Sequence, residues 1–544
     1  LSSSGQVFLL NPNGVLFGRS AQVGVGGLAA STLGLSNEDF LAGKHRLGGA
    51  STAAVINQGR VTAAEGGYVA LLGAQARNEG IIEARLGSVA LAAGSDVTLN
   101  LNNGSLLGLT VHQGVVGALA DNSQLIQAEG GQVLLTAQAA DRLVSAVVNN
   151  SGVIEARGAV AEDGVIRLLG DSQAGIVTNT GQLNAGSVQA QGRSLLQAGQ
   201  IEASNVDLAA RYALVQTQDA RIRAEGGSIR LDGGEATYLS GAVDASGGAQ
   251  KASGGHITVA GQAITLSATA VNASAAQPGQ GGQDGESGQA VAATAGRIRI
   301  GGGAHGRDSD IANARTVSVS GPTTLKAEGS QGSIVVWSDE TTNYFGQAKA
   351  GAQGFIEVSS KGTLNLGGRT EVGAGGQILY DPTNIVIEAA APSSYYLDLA
   401  DPTPTTGDGH GSKVTELTNG NVVVASQNDD FGATDAGAAY LYNGKTGALI
   451  SALYGSTASD KVGSGGVTAL SNGNYVVRSN QWNQDATVTK VGAVTWGSGT
   501  AGVSGTVSAA NSLVGSTKDD QVGDFGVSAL SNGNFVVVST LWDK

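Results

Sequence analysis

The sequence predicts an all-β chain, a parallel β-helix (a solenoid) followed by a β-repeat array, and three observations predict it. Glycine supplies 86 of 544 residues, while 41% are hydrophobic, 14% charged and 4% aromatic. That balance suits many tight corners around a thin apolar interior. It excludes collagen, which needs a Gly-X-Y period, and a disordered polar chain. The second observation is a five-residue unit that recurs along the first two-thirds of the chain. The third is a longer Asn-Gly-Asn unit near the C-terminus.

The short unit reads Gly-x-aliphatic-polar-Ala. It stands at Gly59–Ala63, Gly80–Ala84, Gly152–Ala156, Gly181–Ala185, Gly199–Ala203 and Gly241–Ala245, often with Asn two residues ahead (Asn57, Asn78, Asn150, Asn179). A companion unit, Gly-x-(Val/Ile)-x-aliphatic, runs between these from Gly67, Gly87, Gly131, Gly164, Gly227, Gly255, Gly296 and Gly332. Alternation at period two marks half-buried strands, with Gly at the corners where positive φ is expected. Such short strands cannot bury their apolar faces singly, but coil stacked on coil they enclose a continuous interior. Val61, Ile82, Ile154 and Ile201 are expected to form an inward aliphatic stack with Ala63, Ala84, Ala156 and Ala203 beside it. Glu83, Glu155, Glu202 and Asp244 are expected to face solvent.

Four of the seven prolines fall at 382, 392, 402 and 404, which ends the helix in a linker over 381–411. Beyond it, Leu417–Val424 recurs as Leu470–Val477 and Leu530–Val537, a period of 53 to 60 residues. Asn-Gly between apolar runs signals hairpins, and several hairpins per unit of this size suggest a propeller-like array over 412–544, incomplete within this chain.

Lys and Arg number 30 against 44 Asp and Glu, a net charge of −14, which argues against nucleic acid as a partner. No stretch approaches the roughly 18 consecutive apolar residues of a membrane-spanning helix. With no Cys, disulfides and thiolate metal sites are excluded, and with no Met and no signal peptide the chain reads as a piece of something longer.

The opening, Leu1-Ser2-Ser3-Ser4-Gly5-Gln6-Val7-Phe8-Leu9-Leu10-Asn11-Pro12-Asn13-Gly14-Val15-Leu16-Phe17-Gly18, resembles the secretion domain of filamentous-haemagglutinin-type exoproteins. Leu35–Gly43 and Val55–Gly59 are similar to that family as well. The resemblance implies a right-handed parallel β-helix in a Gram-negative bacterium, exported through a dedicated outer-membrane transporter of the two-partner type. Residues 1–160 would be a partial secretion domain with the first coils, and 161–380 the helix continuation. Asn11, Pro12, Asn13 and Gly14 are among the residues the resemblance implicates in transporter recognition. From the residues alone they read as a type I turn. The family domain begins earlier, with a capping region and a second Asn-Pro-Asn motif that this sequence lacks.

Sites for chemistry are scarce. The five histidines (His45, His112, His256, His305, His410) are scattered, and no zinc, phosphate-loop or nucleophile-elbow motif occurs. Glu162-Asp163 and Arg307-Asp308-Ser309-Asp310 are the carboxylate candidates for a β-helical polysaccharide lyase or hydrolase. Asn428-Asp429-Asp430 and Lys518-Asp519-Asp520 are the oxygen-rich loops for calcium. All four read more simply as solvated turns. Tyr395-Tyr396, Trp337, Trp482, Trp496 and Trp542 are the aromatics available to stack on sugars, with Trp482 and Trp542 at equivalent repeat positions. The expectation is therefore no catalytic residue, no cofactor and no metal. The function expected is a secreted or cell-surface adhesin that binds a host or bacterial surface receptor, protein or glycan. A toxin-carrying exoprotein with its toxin beyond this chain, and a polysaccharide enzyme, are the alternatives.

Overall fold

The computed structural model describes every residue except 103–104, 141–144, 158–163, 250, 277–292, 388–397, 486 and 544. The alternation read from the sequence becomes parallel strands arranged as three faces around one interior. On the first face Gln6–Leu10 pairs with the latter part of Gln22–Ser31, which pairs with the latter part of Arg60–Gly73. Ser88–Ala93, Gln132–Ala137 and Val165–Gly170 follow, and the series ends at Gln377–Leu379. The second face runs from Val15–Phe17 through Ala54–Asn57, Gln75–Asn78 and Leu119–Asn122 to Asn384–Ile387. The third takes the early parts of Gln22–Ser31 and Arg60–Gly73, then Ile81–Glu83, Leu125–Gln127 and Val153–Glu155, ending at Arg369–Val372.

Val61, Ile82, Ile154 and Ile201 lie in one apolar core with Ala63, Ala84, Ala156 and Ala203, as expected. Alanine fits beside the aliphatic row because the corners are narrow. The acidic residues between them point outward into ion pairs, Arg60 with Glu83, Arg157 with Glu202 and Arg223 with Asp244. At the adjoining corner the recurring Asn is buried, and each side chain donates to the next. Asn57 Nδ2 reaches Asn78 Oδ1 at 2.9 Å, and the column continues through Asn122, Asn150 and Asn179 to Gln197.

The glycines of the companion unit do not serve the purpose the sequence suggests. Gly87, Gly131, Gly255 and Gly296 have no left-handed φ. A Cβ at each would collide with a carbonyl oxygen of the coil before it, and that carbonyl belongs to Gly67, Gly87, Gly227 and Gly255 respectively. They are a column of close approach between coils.

Outside the helix, the short helix Asn37–Leu41 is capped by the Ser36 hydroxyl, which accepts from the Asp39 N–H. The antiparallel strands Arg46–Gly48, Asp96–Asn102 and Ser105–Gln113 lean on the outer side of the first face. They bury Leu47, Val97 and Leu99 against Tyr68, Ala70 and Ala90.

The C-terminal repeats are antiparallel. Lys413–Glu416, Val422–Ser426, Ala438–Tyr442 and Leu449–Tyr454 form a four-stranded meander with Gly505–Thr506 alongside. Gly466–Ala469, Tyr475–Ser479, Ala493–Gly497 and Ser512–Val514 form a second, and Gly526–Ala529 with Phe535–Val538 a third hairpin. This is blade-like connectivity. At each Asn-Gly turn only the glycine has positive φ: Gly420 (84°), Gly473 (85°) and Gly533 (84°). Gly420 N–H donates to Leu417 C=O and Leu417 N–H to Asn421 C=O, a longer loop with a left-handed Gly rather than a two-residue turn.

The repeat module packs against the second face. Ile176, Leu196, Val215 and Tyr238, on four successive coils, meet Val424, Phe431, Tyr440, Tyr442 and Tyr454 in one buried cluster. Arg193 lies over the Tyr212 ring and donates to the Asp430 and Phe431 carbonyls at 2.9 Å. Ser145 Oγ donates to Gly432 C=O, and Leu449 N–H to Ser240 Oγ. Residues 398–411, within the stretch read as linker, join this interface through Leu399 and Ala400.

The glycine column predicts a sharp contrast. Gly131→Ala forces two coils apart and should lower the unfolding free energy by about 1–3 kcal/mol. Gly18→Ala, with nothing within 4 Å of its Cβ position, should stay within about 0.5 kcal/mol. Chemical denaturation of the two variants checks this, and equal stabilities would refute the close-approach role.

Candidate functional site

Asn11, Pro12, Asn13 and Gly14 lie between the first two strands of the first coil, Gln6–Leu10 and Val15–Phe17. Gly14 N–H donates to Asn11 C=O at 3.1 Å, closing a β-turn. Asn13 has no positive φ, which makes the turn type I rather than type II. The Asn11 side chain is occupied inside the turn, because its Oδ1 accepts from the Asn13 N–H at 3.1 Å. Ser51 Oγ donates to Pro12 C=O at 2.6 Å and ties the turn to the next coil. Gly14 has φ +113°, a conformation that disfavours side chains. Asn11, Pro12 and Asn13 are exposed. The Pro12 ring and the Asn13 amide are thus the groups this turn offers to another molecule, while Asn11 and Gly14 shape it.

The carboxylate and aromatic candidates are dispersed. Glu162, Asp163, Tyr395 and Tyr396 lie outside the described residues. Asp308 is held by Arg299 at 2.5 Å, and its other oxygen accepts from the Asp310 N–H. The Asp310 N–H and Arg299 together keep it below its ordinary pKa, as expected of a loop staple. Trp337 and Trp482 are buried, while Trp496 is exposed on Ala493–Gly497 and Trp542 is exposed in the irregular segment after Phe535–Val538. Each histidine has its own setting. His45 stacks on Phe8, His112 bonds Thr98, His305 offers its backbone N–H to buried Glu357, and His410 bonds the Leu399 carbonyl. His256 lies on the outer side of the first face.

The one acidic grouping among the described residues joins Asp429, from a loop singled out in the sequence, to Asp401 and Asp408, whose role the sequence did not signal. Carboxylate oxygens of the three lie within 4.8 Å of one another. Asp429 is fully buried, and its oxygens accept from Thr403 Oγ1 (3.0 Å), Tyr440 OH (2.8 Å) and Phe431 N–H (2.8 Å). Burial, reinforced by Asp401, pushes Asp429 up to about 7, and burial pushes Asp401 to about 6. Oxygen donors at this separation are of the kind hard cations take. Here hydroxyl and backbone N–H donors meet the oxygens of Asp429.

Asp408 also exposes a repeat the sequence hides. Thr405 N–H donates to Asp408 at 2.8 Å, as Thr457 does to Asp460 and Thr517 to Asp520. The signal available was Thr-x-x-Asp followed three residues later by Gly, at Gly411, Gly463 and Gly523.

Residues 1–185 match the family model of the TPS secretion domain, and residues 416–464, 469–524 and 529–544 match a repeat of unknown function, DUF5650. The first third of the chain thus carries the secretion domain found in two-partner-secretion exoproteins. Proteins with this domain are secreted or surface-exposed in Gram-negative bacteria, and their partner is a transporter in the outer membrane. The domain serves transport and is not enzymatic. The crystal structure of the HMW1 secretion domain from Haemophilus influenzae is similar at 21% identity, over 70% of this chain and 80% of that one, with a TM-score of 0.27. No curated protein sequence matches the chain.

The buried carboxyls predict a pH dependence of the repeat module. A carboxyl whose folded pKa is raised keeps its proton in the folded state. The stability it contributes is complete below the ordinary value near 3.8 and is lost as pH rises through about 6 to 7. The module's melting temperature should therefore fall between pH 5 and pH 8, with fully buried Asp460, also raised to about 7, contributing. Asp429→Asn should flatten that fall, and an unchanged slope in thermal melts would remove Asp429 as its source.

Proposed function

We propose that the chain is the projecting rod of a surface adhesin that attaches the cell to a molecule on a host or bacterial surface. The reading divides the chain into a secretion domain with the first coils (1–160), a rod extension (161–380), a connection (381–411) and a repeat array (412–544). The observation that carries it is the coupling of a two-partner-secretion domain to an uninterrupted series of coils ending at Asn384–Ile387. Stacked coils extend a surface at about 4.8 Å per coil, which holds a binding region away from the membrane rather than enclosing a substrate. The lack of Cys is consistent with passage as an extended chain, since no disulfide can close a loop on the way.

Within this reading Asn11, Pro12, Asn13 and Gly14 are the transporter-recognition turn. Asn13→Ala leaves the turn's own bonds in place and should cut the secreted fraction about tenfold when the chain is co-expressed with its transporter, with an unchanged melt for the purified chain. Asn11→Ala, which removes the bond to the Asn13 N–H, should lower both secretion and the stability of the first coil. Wild-type secretion of Asn13→Ala would assign the turn a purely structural role.

Attachment itself is tested by deleting the gene and counting cells retained on host and abiotic surfaces under flow. Retention should fall severalfold and return on complementation. Undiminished retention would overturn the adhesin reading.

A further inference from the structure

On the outer side of the first face, strands Ser228–Asp232, His256–Ala260 and Arg297–Ile300 stack in register and border a cleft of about 320 Å³. One row across it reads Ser228, His256, Arg297, and the next reads Arg230, Thr258, Arg299. Three guanidinium groups in one cleft are unexpected on a chain of net charge −14. The coil-to-coil ladder does not require them, since any outward polar residue would serve there.

Two of the three are fixed from behind. Arg230 Nη2 donates to Asp232 at 2.7 Å, with Asp207 at 3.9 Å on the preceding coil. Arg299 donates to Asp308 at 2.5 Å and to Thr258 Oγ1 at 3.1 Å. Carboxylates at the margin thus orient these planar forks and leave further N–H groups free. The Arg297 side chain is exposed, and its guanidinium makes no hydrogen bond or ion pair with the described residues. His256 beside it is held below its ordinary pKa by partial burial and by Arg297 and Arg299. It is therefore mainly neutral at pH 7, able to bond hydroxyl groups.

We propose that this cleft binds a polysaccharide bearing regularly spaced oxyanions, uronate carboxylates or sulfate esters, an assignment that rests on the adhesin reading for its setting. The spacing argues for a chain rather than a single ion. Arg297 and Arg299 are two residues apart on one strand, about 6.7 Å, and Arg230 and Arg299 are two coils apart, about 9.5 Å. With Arg230 and Arg299 anchored to different carboxylates, one small oxyanion cannot engage all three, whereas anions repeating along a saccharide can. Ser228, Thr258 and neutral His256 supply partners for sugar hydroxyls between the charges. The lining holds no Phe, Tyr or Trp on which successive bases would stack, so the same cations do not make a nucleic-acid site.

The test measures binding of the full chain to immobilised polygalacturonate, dextran sulfate, neutral dextran and a single-stranded DNA oligonucleotide. Binding to one or both polyanionic glycans is expected, and which of them binds identifies the oxyanion. Neutral dextran and DNA should be left unbound. Arg297→Ala should weaken glycan binding about tenfold and Arg297→Lys should restore part of it, with melts unchanged because the side chain is exposed. Arg369→Ala, on the third face, should bind as wild type. Equal binding to neutral dextran, DNA bound as tightly as glycan, or no effect of Arg297→Ala would overturn the proposal. If neither polyanion binds while gene deletion still abolishes attachment, the cleft assignment fails and the adhesin reading stands. If polyanions bind through Arg297 but deletion leaves attachment intact, the adhesin reading fails and the cleft stands.

Discussion

Each coil of this rod meets its backbone hydrogen-bonding needs only through the coils before and after it. A strand of three or four residues such as Ile81–Glu83 has no partner within its own coil. Corners therefore have to superimpose, and two side-chain columns enforce this. Column glycines let one corner settle on the carbonyl of the last, and the asparagine column passes one amide bond from coil to coil. An unpaired buried amide costs about 1–3 kcal/mol, so a coil that slipped register would be penalised at its corner as well as along its ladders.

That regularity also makes the flanks programmable. Any outward position repeats on successive coils, and a change of residue type along one row creates a stripe. On the second face the row Leu196, Val215, Tyr238, with Ile176, Ala213 and Ala236 of the neighbouring row, is apolar and receives the repeat module. On the first face the rows through His256 and Thr258 gather guanidinium groups instead. The module brings its own constraint to the interface. Asp429 and Asp401 enter a dry setting, and burial raises the pKa of both carboxyls.

Much of this was legible in the sequence, because period-two alternation punctuated by Gly leaves little choice but stacked strands. The inward row from Val61 to Ile201 and its outward acids follow from that alone. The role of the column glycines was not legible, since composition cannot distinguish a glycine needed for positive φ from one needed for closeness. Docking of the module was hidden for a different reason. Ile176 and Tyr238 break the alternation at single outward positions, and such a break carries meaning only once the coils are aligned and Leu196, Val215 and Tyr238 are seen to share a row, with Ile176 in the row beside it. For the first-coil turn, the type I geometry followed from Pro12 and Gly14. The occupation of Asn11 inside it, which leaves Pro12 and Asn13 to face outward, needed coordinates.

The asparagine column has a direction. Every amide from Asn57 onward gives its proton to the oxygen of the residue that follows in the chain, and Gln197 ends the series by donating to the Gly199 carbonyl. At each corner of the column the earlier coil holds out a donor, and the coil stacked on it must bring an acceptor at one defined height. The unfinished tip is thus chemically different from the coils behind it. Any coil placed on it must match that donor, as a monomer must match its template, and at Gln197, whose amide donates to the Gly199 carbonyl of its own corner, the requirement ends.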